Sequence, residues 1–515
     1  MFCLVPSPDQ RAEANNNIPA SDTASSGFLG NLLVVPMDGS HWVGIKAIAQ
    51  EMGRRGHRVT VVIPEISMRM GPGKHYDTVT YPVPYDKAHI DSIMSSLKDM
   101  MEKSSFTEKI RKGFSKIGQR NLKIPNFFLS EHDEKSNFDA VLTDPVAPTG
   151  SLIARKLGIP TINLLRGLPC SLDMKSAGCP SPPSYVPRFL TRYTDKMSFQ
   201  ERAFNTLVAL LEPLLCRLLY WHFDQIAYQF LGEEVGIAEV LSESAIWLLR
   251  LDFTLEFPRP IMPNVVLVGG INCNVRHPLP EDLESWVSGE HGFVVFTLGT
   301  MLSDLPEETT SVFLEAFRQI PQKVIWRYTG QVPDSFPENV KLMNWVPQND
   351  LLAHPGARAF ITHAGSHGLF EGLCHAVPMV MMPFGGDQPD NAVRLASRGA
   401  GVVLDIYSIT TESLLQGLNE VINDTRYKEN MQKLSALHKD RPVDPLDLSV
   451  YWTEFVMRHK GAKHLRPAVL DLNWLQYYCL DVIAVLASVV LFFVILIVKC
   501  LKLCFWKLSR KRKQD

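Results

Sequence analysis

Residues 345–394 bring together side chains that suit the parts of a nucleoside diphosphate. Trp345 presents an aromatic face on which a base could stack, an interaction worth about 1–3 kcal/mol per base. Gln348 could hydrogen-bond to the edge of that base, and the two carboxylate oxygens of Glu371 suit the paired hydroxyls of a ribose. These three side chains predict a nucleoside site.

A glycine-rich turn in the same stretch predicts an anion site. An apolar strand ends at His363, and a helix is expected to begin after Gly365. The backbone N–H groups of Ser366, His367 and Gly368 would lack intrahelical partners at that helix start, where the helix dipole favours a pyrophosphate. His363 can add a donor. We therefore expect this turn to bind a diphosphate and to stabilise it as a leaving group.

Further polar residues extend the predicted site. Asp387 and Gln388 suit the hydroxyls of a sugar. In the sequence FTLGT, Thr297, Gly299 and Thr300 lie where a strand passes into a loop, and their hydroxyl and N–H groups could reach phosphate. A lone tryptophan usually packs, and a lone G-x-x-G turn is weak evidence, but the combination predicts a nucleotide-sugar site.

A histidine and an aspartate follow two of the predicted strands in the first half of the chain. His41 lies in the sequence GSHW and Asp144 in LTDP. The carboxyl ends of parallel strands share one crevice, so these residues could meet there. An imidazole could then accept the proton of an acceptor hydroxyl, while the carboxylate orients the ring. Such a dyad without a nucleophilic serine predicts direct displacement with inversion, so that an α-linked donor gives a β-linked product.

The segment WVPQNDLLAHPGARAFITHAGSHGLFEGLCHAVPMVMMPFGGDQPDNAVR resembles the signature of the UDP-glycosyltransferase family, most closely the vertebrate UDP-glucuronosyltransferases. The GSHW and LTDP sequences match the motifs that hold the catalytic pair of that family. The resemblance covers nearly the whole chain from Leu32 onward. It departs from the family at Ala376, where glycine is usual, and at Gly385, where an aromatic residue is usual, which makes sugar contacts less secure than UDP contacts.

The resemblance implies transfer of glucuronic acid from UDP-glucuronate to small lipophilic acceptors such as phenols, steroids and xenobiotics, giving β-glucuronides. UDP-glucuronate would be a co-substrate, and no cofactor is expected. One alternative is a UDP-hexosyltransferase that uses another sugar, because donor choice depends on a few contacts; Arg259 is a weak candidate partner for a glucuronate carboxylate. A second alternative is a non-catalytic subunit that binds UDP-sugar and regulates a partner, as a homo- or heterodimer.

Apolar runs alternate with helical patterns in both halves of the chain, as in parallel α/β sheets. In the first half, strands are expected at residues 32–36, 59–63 and 138–143, and a helix between the first two is expected to end near Gly56. Residues 85–131 show helical spacing. In the second half, strands are expected at residues 293–298, 324–328, 340–345, 360–363, 379–382 and 402–404.

Two facing Rossmann-like domains in the GT-B arrangement, with one C-terminal transmembrane helix, are therefore expected. The proline-rich stretch 257–273 reads as the connector between the domains. Residues 1–27 are an atypical N-terminal segment that lacks the basic and apolar regions of a secretory signal. The expected divisions after it are an acceptor-binding domain at 28–262, a UDP-sugar-binding domain at 263–445, cross-back helices and a juxtamembrane segment at 446–480, a membrane helix at 481–500 and a basic tail at 501–515.

An uncharged apolar run at residues 482–498 predicts a single membrane span. Seven basic residues follow it, so the positive-inside rule places the tail in the cytosol and the catalytic domains on the other side. Lys511 and Lys513 have the spacing of a dilysine retrieval signal, which suggests the endoplasmic reticulum membrane, with the catalytic domains lumenal. Membrane lipid is then a partner. An N-glycan on Asn423, in the sequon Asn-Asp-Thr, would report that topology.

The composition argues against other classes of protein. A formal net charge of -2 provides no basic surface for nucleic acid. No two aspartates have D-x-D spacing, and the nine cysteines show no C-x-x-C pair, so no metal site is expected. In a lumenal domain, Cys170 and Cys179 are candidates for a disulfide.

Overall fold

A computed structural model describes residues 28–88, 137–274, 276–299 and 302–511. The atypical segment 1–27, Thr300 and most of the helical segment expected at 85–131 lie outside these residues, so those expectations are not tested. Within the described ranges the two halves of the chain form two parallel sheets.

The first sheet has seven parallel strands in the order β3-β2-β1-β4-β5-β6-β7. Most of its strands are buried runs of branched apolar residues, as expected for a parallel sheet covered on both faces. In the central register, Val34 pairs with Val61 on one side and Leu142 on the other. The strands are β1 (Asn31–Val35), β2 (Arg58–Pro64), β3 (Asp77–Tyr81), β4 (Ala140–Thr143), β5 (Thr161–Leu165), β6 (Ile246–Leu249) and β7 (Val265–Leu267).

The second sheet has six parallel strands in the order β10-β9-β8-β11-β12-β13. Its centre is also fully apolar, with Phe296 paired to Trp326 and Ile361. All six strands fall within or next to the segments expected from the sequence. They are β8 (Phe293–Thr297), β9 (Lys323–Arg327), β10 (Val340–Met343), β11 (Ala357–Thr362), β12 (Met379–Met381) and β13 (Gly401–Val403).

Helices connect the strands and cover both sheets. The first one follows β1 and is succeeded by Gly56, whose positive φ of 97° suits the turn into β2. In the first domain the helices are α1 (His41–Arg54), α2 (Thr149–Leu157), α3 (Leu172–Ser176), α4 (Phe199–Leu231) and α5 (Ile237–Ser242). The remaining helices are α6 (Glu281–Val287), α7 (Glu307–Arg318), α8 (Gln348–Ala353), α9 (Ser366–Cys374), α10 (Gln388–Ala396), α11 (Thr411–Asn423), α12 (Thr425–Lys439), α13 (Pro445–His459), α14 (Trp474–Tyr477) and α15 (Leu480–Lys511).

The chain returns to the first domain after the second sheet is complete. Val450, Val456 and Met457 of α13 are fully buried in the same core as Leu32 and Ile45. Helix α13 therefore has an apolar face because it packs on the first domain, although it follows the second domain in sequence. The architecture is thus the GT-B arrangement expected from the sequence.

The proline-rich connector at residues 257–273 contains a strand of the first sheet. Within it, β7 pairs in parallel with β6, for example Leu248 with Val266. Three consecutive apolar residues can extend a sheet even when prolines flank them, because only the flanking positions lack backbone donors. The first sheet therefore continues beyond residue 262, the expected end of the first domain.

The disulfide expected between Cys170 and Cys179 is wrong. Cys170 bonds instead to Cys216 on α4, with Cα atoms 5.8 Å apart, and Cys273 bonds to Cys374 on α9. Cys179 is a buried free thiol, and burial raises its pKa to about 11. The nearness of Cys179 in sequence was misleading because α4 packs across the segment that holds Cys170 and supplies the partner.

Two helices in the described part of the chain are long and apolar enough to cross a membrane. One is the C-terminal helix α15, with the candidate span Leu480–Trp506. None of the residues in the most apolar stretch of this span is buried against the protein. It contains the span expected from the sequence and fits a single-pass anchor. The other is α4, in which 17% of the residues in the most apolar stretch are buried.

Candidate active site

A cleft of about 850 Å³ lies between the two domains, next to the carboxyl ends of strands from both sheets. This volume is within the range of small-molecule sites. Nearly all of the residues predicted from the sequence line it, and Asp144 lies behind His41. The lining residues are His41, Thr297, Gly299, Trp345, Gln348, His363, Gly365, Ser366, His367, Gly368, Glu371, Asp387 and Gln388.

His41 and Asp144 are in direct contact, although 103 residues separate them. The Nδ1 atom of His41 lies 2.6 Å from Asp144 Oδ2, and Asp144 Oδ1 accepts a hydrogen bond from the backbone N–H of Val146 at 3.0 Å. The aspartate side chain is 1% exposed and the histidine side chain 30% exposed. An ionised carboxylate can only accept, so Nδ1 carries the proton and Nε2 keeps a lone pair available for a substrate proton.

The start of α9 faces the cleft from the second domain. Its N-cap is Gly365, and no side chain caps the helix. The N–H groups of Ser366, His367 and Gly368 therefore occupy the first turn, where a helix has free donors and a positive dipole end. This is the geometry of an anion site.

His363 lies directly after β11, and two glycines allow its ring to lie close to the backbone. A Cβ atom on Gly299, which has a φ of 79°, would lie 2.5 Å from the imidazole, and one on Gly365 would lie 2.4 Å from it. Burial lowers the pKa of His363 to about 4, so the ring is neutral near pH 7. Its Nδ1 atom has no hydrogen-bond partner among the described residues, and the ring is therefore free to contact a ligand.

A chain of hydrogen bonds joins Thr297, Gln348 and Glu371. The Thr297 hydroxyl donates to the side-chain oxygen of Gln348, and Gln348 Nε2 donates to Glu371 Oε2 at 2.5 Å. Burial raises the pKa of Glu371 to about 7, although the Gln348 contact opposes that shift. The Gln348 side chain thus positions Glu371, a role that the sequence did not suggest. One oxygen of Glu371 remains for a ligand.

Trp345 projects into the cleft with 54% of its surface exposed. Its ring is in contact with two arginines, Arg69 from the first domain at 4.1 Å and Arg327 at 5.5 Å from the ring centroid. Burial lowers the pKa of both arginines. A base that stacks on Trp345 would therefore lie in a strip of positive charge, which suits the adjoining anion site.

Asp387 and Gln388 lie at the start of α10, and both are already held by intramolecular contacts. Gln388 Oε1 accepts from the backbone N–H of Phe384 at 2.8 Å, and Asp387 Oδ2 accepts from Asn391 Nδ2 at 2.8 Å. Both residues line the cleft. Adding a side chain at Gly385 would meet no atom within 4 Å, so the loop before them is open.

The sequence reasoning missed Arg250, which lies between the dyad and the second domain. It is 5% exposed, it contacts Nε2 of His367 through Nη1, and its Nε has no partner among the described residues. Burial lowers its pKa, and the carboxylates of Asp144 and Asp387 oppose that shift. Its position after a strand could have indicated it, because Arg250 directly follows β6 just as Asp144 directly follows β4.

Ion pairs and a hydrogen bond join the two domains beside the cleft. Glu256 binds Arg394 of α10 and, at 3.0 Å, Arg166, which directly follows β5. Burial by itself would raise the pKa of Glu256, but Arg394 and Arg166 together hold it well below its usual range. Asp390 of α10 accepts from the backbone N–H of Leu190 at 2.8 Å. These contacts tie the first domain to α10 of the second.

The part of the cleft that the first domain forms has apolar residues beside the charged side chains of Asp173, Arg188 and Arg259. Leu168, Met174, Phe189 and Tyr193 line it together with Val146. Met174 lies on the short helix α3, and the others lie in irregular segments after β4 and β5, where the sequence offers no periodic signal. An apolar ligand that reaches His41 from this part of the cleft would bring a polar atom to Nε2.

Comparison with known proteins places this geometry in a family. Residues 30–515 match the model of a family described as UDP-glucoronosyl and UDP-glucosyl transferase. UDP-glucuronosyltransferase 1A1 of Rattus norvegicus is 45% identical over 505 residues, which are 95% of this chain and 94% of that protein. UDP-glucuronosyltransferase 1A6 of Homo sapiens is 46% identical over 94% of this chain and 93% of its own length.

Solved structures share the fold at low identity. The spinosyn forosaminyltransferase SpnP matches with a TM-score of 0.57 and 18% identity, over 84% of this chain and all of that one. Os79 from O. sativa in complex with UDP matches with a TM-score of 0.54 and 17% identity, over 82% of this chain and 99% of that one. With its two parallel sheets, its interdomain cleft and a match over almost its whole length, the chain belongs to the family of UDP-glucuronosyl and UDP-glucosyl transferases.

Proposed function

We propose that this GT-B glycosyltransferase moves glucuronic acid from UDP-glucuronate to hydroxyl groups of small lipophilic acceptors, with inversion at the anomeric carbon. The observation that carries the proposal is the His41–Asp144 contact at 2.6 Å in the same cleft as the open helix start of α9. The names of the relatives support glucuronate as the sugar. The apolar residues in the first-domain part of the cleft, such as Leu168, Met174 and Phe189, support lipophilic acceptors such as phenols, steroids and xenobiotics.

The reaction follows from the positions of the two groups. His41 Nε2 accepts the proton of the acceptor hydroxyl, and Asp144 stabilises the imidazolium that forms. The acceptor oxygen bonds to the anomeric carbon as the bond from that carbon to the β-phosphate oxygen breaks. UDP leaves with the electron pair, and the N–H groups at the start of α9 stabilise its charge. An α-linked donor thus gives a β-glucuronide.

We propose roles for the other cleft residues on the same basis. Trp345 stacks on uracil, Glu371 binds the ribose hydroxyls, and His363 donates to the diphosphate. Thr297, Gly299 and Thr300 are further candidates for contact with the diphosphate. Asp387 and Gln388 bind sugar hydroxyls with the groups that they do not use internally. Arg250 is the group that we assign to the carboxylate of the donor, because its charge is buried and one of its N–H groups is unpaired.

A panel of donors tests the proposed activity. Vesicles bearing the full chain would be incubated with a phenolic acceptor and, in parallel, with UDP-glucuronate, UDP-glucose, UDP-galactose or UDP-N-acetylglucosamine. We expect a β-glucuronide from UDP-glucuronate, identified by mass and by its cleavage with a β-specific glucuronidase. Product from a different donor alone would favour the hexosyltransferase alternative, and UDP binding without product from any donor would favour the regulatory subunit.

The raised pKa of Glu371 predicts that donor binding depends on pH. With a pKa of about 7 the free enzyme holds a proton there at lower pH, whereas ribose hydroxyls need an ionised carboxylate as acceptor. Binding must then release the proton, so affinity for UDP-glucuronate should fall by up to about tenfold per pH unit below 7 and level off above about 8. The dissociation constant would be measured by calorimetry without acceptor.

Glu371→Gln is the matched control for this pH dependence, because the amide keeps the shape of the side chain and does not titrate. It should bind UDP-glucuronate more weakly than the parent at pH 8 and with a flat profile. An unchanged slope in the Glu371→Gln variant would assign the titration to another group.

We propose that the catalytic domains are lumenal in the endoplasmic reticulum, with the basic tail in the cytosol. The proposal is supported by the unburied helix α15 and the basic residues that follow it in sequence. Asn423, at the end of α11, is exposed and available for a glycan. Enzymatic removal of an N-glycan from the wild-type chain, but not from Asn423→Gln, would report that orientation.

A further inference from the structure

The long helix α4 (Phe199–Leu231) presents a continuous apolar stripe to its surroundings. Six leucines spaced three or four residues apart along one side are between 46% and 73% exposed: Leu207, Leu210, Leu211, Leu214, Leu215 and Leu218. Soluble surfaces rarely expose a contiguous stripe of this kind. The side chains are not part of the cleft, and the proposed reaction does not use them.

The opposite side of α4 is fastened to the first domain. Asn205 accepts from the backbone N–H of Arg188 at 2.7 Å and donates to the backbone oxygen of Val186 at 3.0 Å. The buried carboxylate of Glu212 lies 3.5 Å from the Arg188 guanidinium, and Phe223 packs in the domain core. Crossing a bilayer would break all of these contacts. The helix is therefore placed to lie along a surface and not to span it.

The membrane-proximal part of the chain lies against the segment that leads into α4. A Cβ atom on Gly178 would lie 2.9 Å from Val469, which precedes the anchor helix α15 in sequence. Arg188 interacts electrostatically with Tyr478, two residues before α15 begins. The anchor that fits a membrane span thus begins beside the loop from which α4 starts, so a bilayer that holds α15 passes close to α4.

The charges of α4 suit a lipid surface. Between residues 206 and 219 the helix has two charged residues: Glu212, which is buried and paired, and Arg217, which is exposed. An exposed cation at the edge of an apolar stripe is typical of helices that lie in the headgroup region, as are exposed aromatic residues such as Trp221 and Tyr228.

We propose that α4 lies in the interface of the same bilayer that α15 crosses, with its leucine stripe directed into the acyl boundary. The chain then has two attachments, one spanning and one interfacial, which together fix the orientation of the catalytic domains relative to the membrane. A single flexible anchor could not do so. A lipid surface accounts for the stripe better than a second copy of the chain, because α15 already brings the bilayer to this place.

Fluorescence from single labelled cysteines tests the proposal in the full chain. The parent would have Cys3, Cys479, Cys500 and Cys504 replaced by serine, because the last three are exposed free thiols and Cys3 is in neither disulfide. Leu210→Cys and Leu214→Cys would receive an environment-sensitive dye, and Leu437→Cys on α12, 66% exposed and outside the stripe, is the matched control. The chains would be reconstituted in phosphatidylcholine and phosphatidylserine vesicles, and donor binding would verify the fold.

We expect lipids with a nitroxide near the headgroup to quench dyes at positions 210 and 214, and aqueous iodide to quench them about tenfold less than a dye at position 437, because the interface excludes the ion. Iodide quenching equal to that of the control would overturn the proposal. Protection from both iodide and lipid quenchers would also overturn it, since it would show that protein covers the stripe. Neither outcome bears on the transferase activity.

Discussion

Replacing His41 with alanine is expected to lower kcat by about 10²–10⁴-fold, the usual contribution of a positioned general base. UDP binding should be nearly unchanged, because His41 lies on the first domain, whereas the proposed anion site is the start of α9 in the second. The variant removes the only imidazole that contacts Asp144 among the described residues. Turnover would be measured with a phenolic acceptor, and UDP binding by calorimetry.

Asp144→Asn is the companion variant. It keeps the size of the side chain but removes the charge that stabilises the imidazolium, so kcat should fall by an amount similar to that of His41→Ala and the double variant should lose little more. Normal turnover in His41→Ala would remove the assignment of the base. Additive losses in the double variant would instead mean that the two residues act independently.

Replacing Arg250 with glutamine should change the choice of donor. If its guanidinium binds the sugar carboxylate, the glutamine variant leaves the carboxylate of the donor buried without a partner of opposite charge. The cost is about 2–5 kcal/mol. That cost corresponds to a fall of about 30-fold or more in kcat/KM for UDP-glucuronate. Turnover with UDP-glucose, which has no carboxylate, should fall far less. The ratio of kcat/KM for the two donors is the measurement.

Arg259→Gln is the matched control, because Arg259 lines the same cleft but faces Glu256 at 4.0 Å. It should leave the donor ratio close to that of the parent chain. If Arg250→Gln lowers the rate equally for both donors, Arg250 positions His367 or the dyad and does not recognise the sugar. Arg250→Lys separates charge from shape, since lysine keeps the charge without the planar fork.

The sequence predicted the elements of the fold because each depends on a local pattern. The buried strand Phe293–Thr297, for example, is apolar up to Phe296, and the polar Thr297 marks its end. His41, Asp144 and His363 were found in this way, each next to the carboxyl end of a strand in a parallel sheet. The same rule would have found Arg250, but a single arginine after a strand does not stand out without a motif around it.

Contacts between distant segments could not be read from the sequence. The bonds of Gln348 to Glu371 and Thr297, for example, join segments 23 and 51 residues apart, and no local pattern indicates them. Cys170 was paired with its neighbour in sequence, yet α4 brings Cys216 to it. The exposed stripe of α4 is also evident only from the tertiary structure. From the sequence alone, an apolar helix is expected to be buried.

By itself, the sequence determined the two-sheet architecture, the open helix start after Gly365, the long apolar C-terminal helix and the residue types that line the cleft. These follow from hydrophobic periodicity, helix-end chemistry and strand-end position, which act over a few residues. The tertiary structure alone decided which side chains pair across the cleft, which cysteines bond and which face of α4 is left uncovered. Those outcomes depend on packing between segments that are tens to hundreds of residues apart, where sequence spacing carries no information about distance.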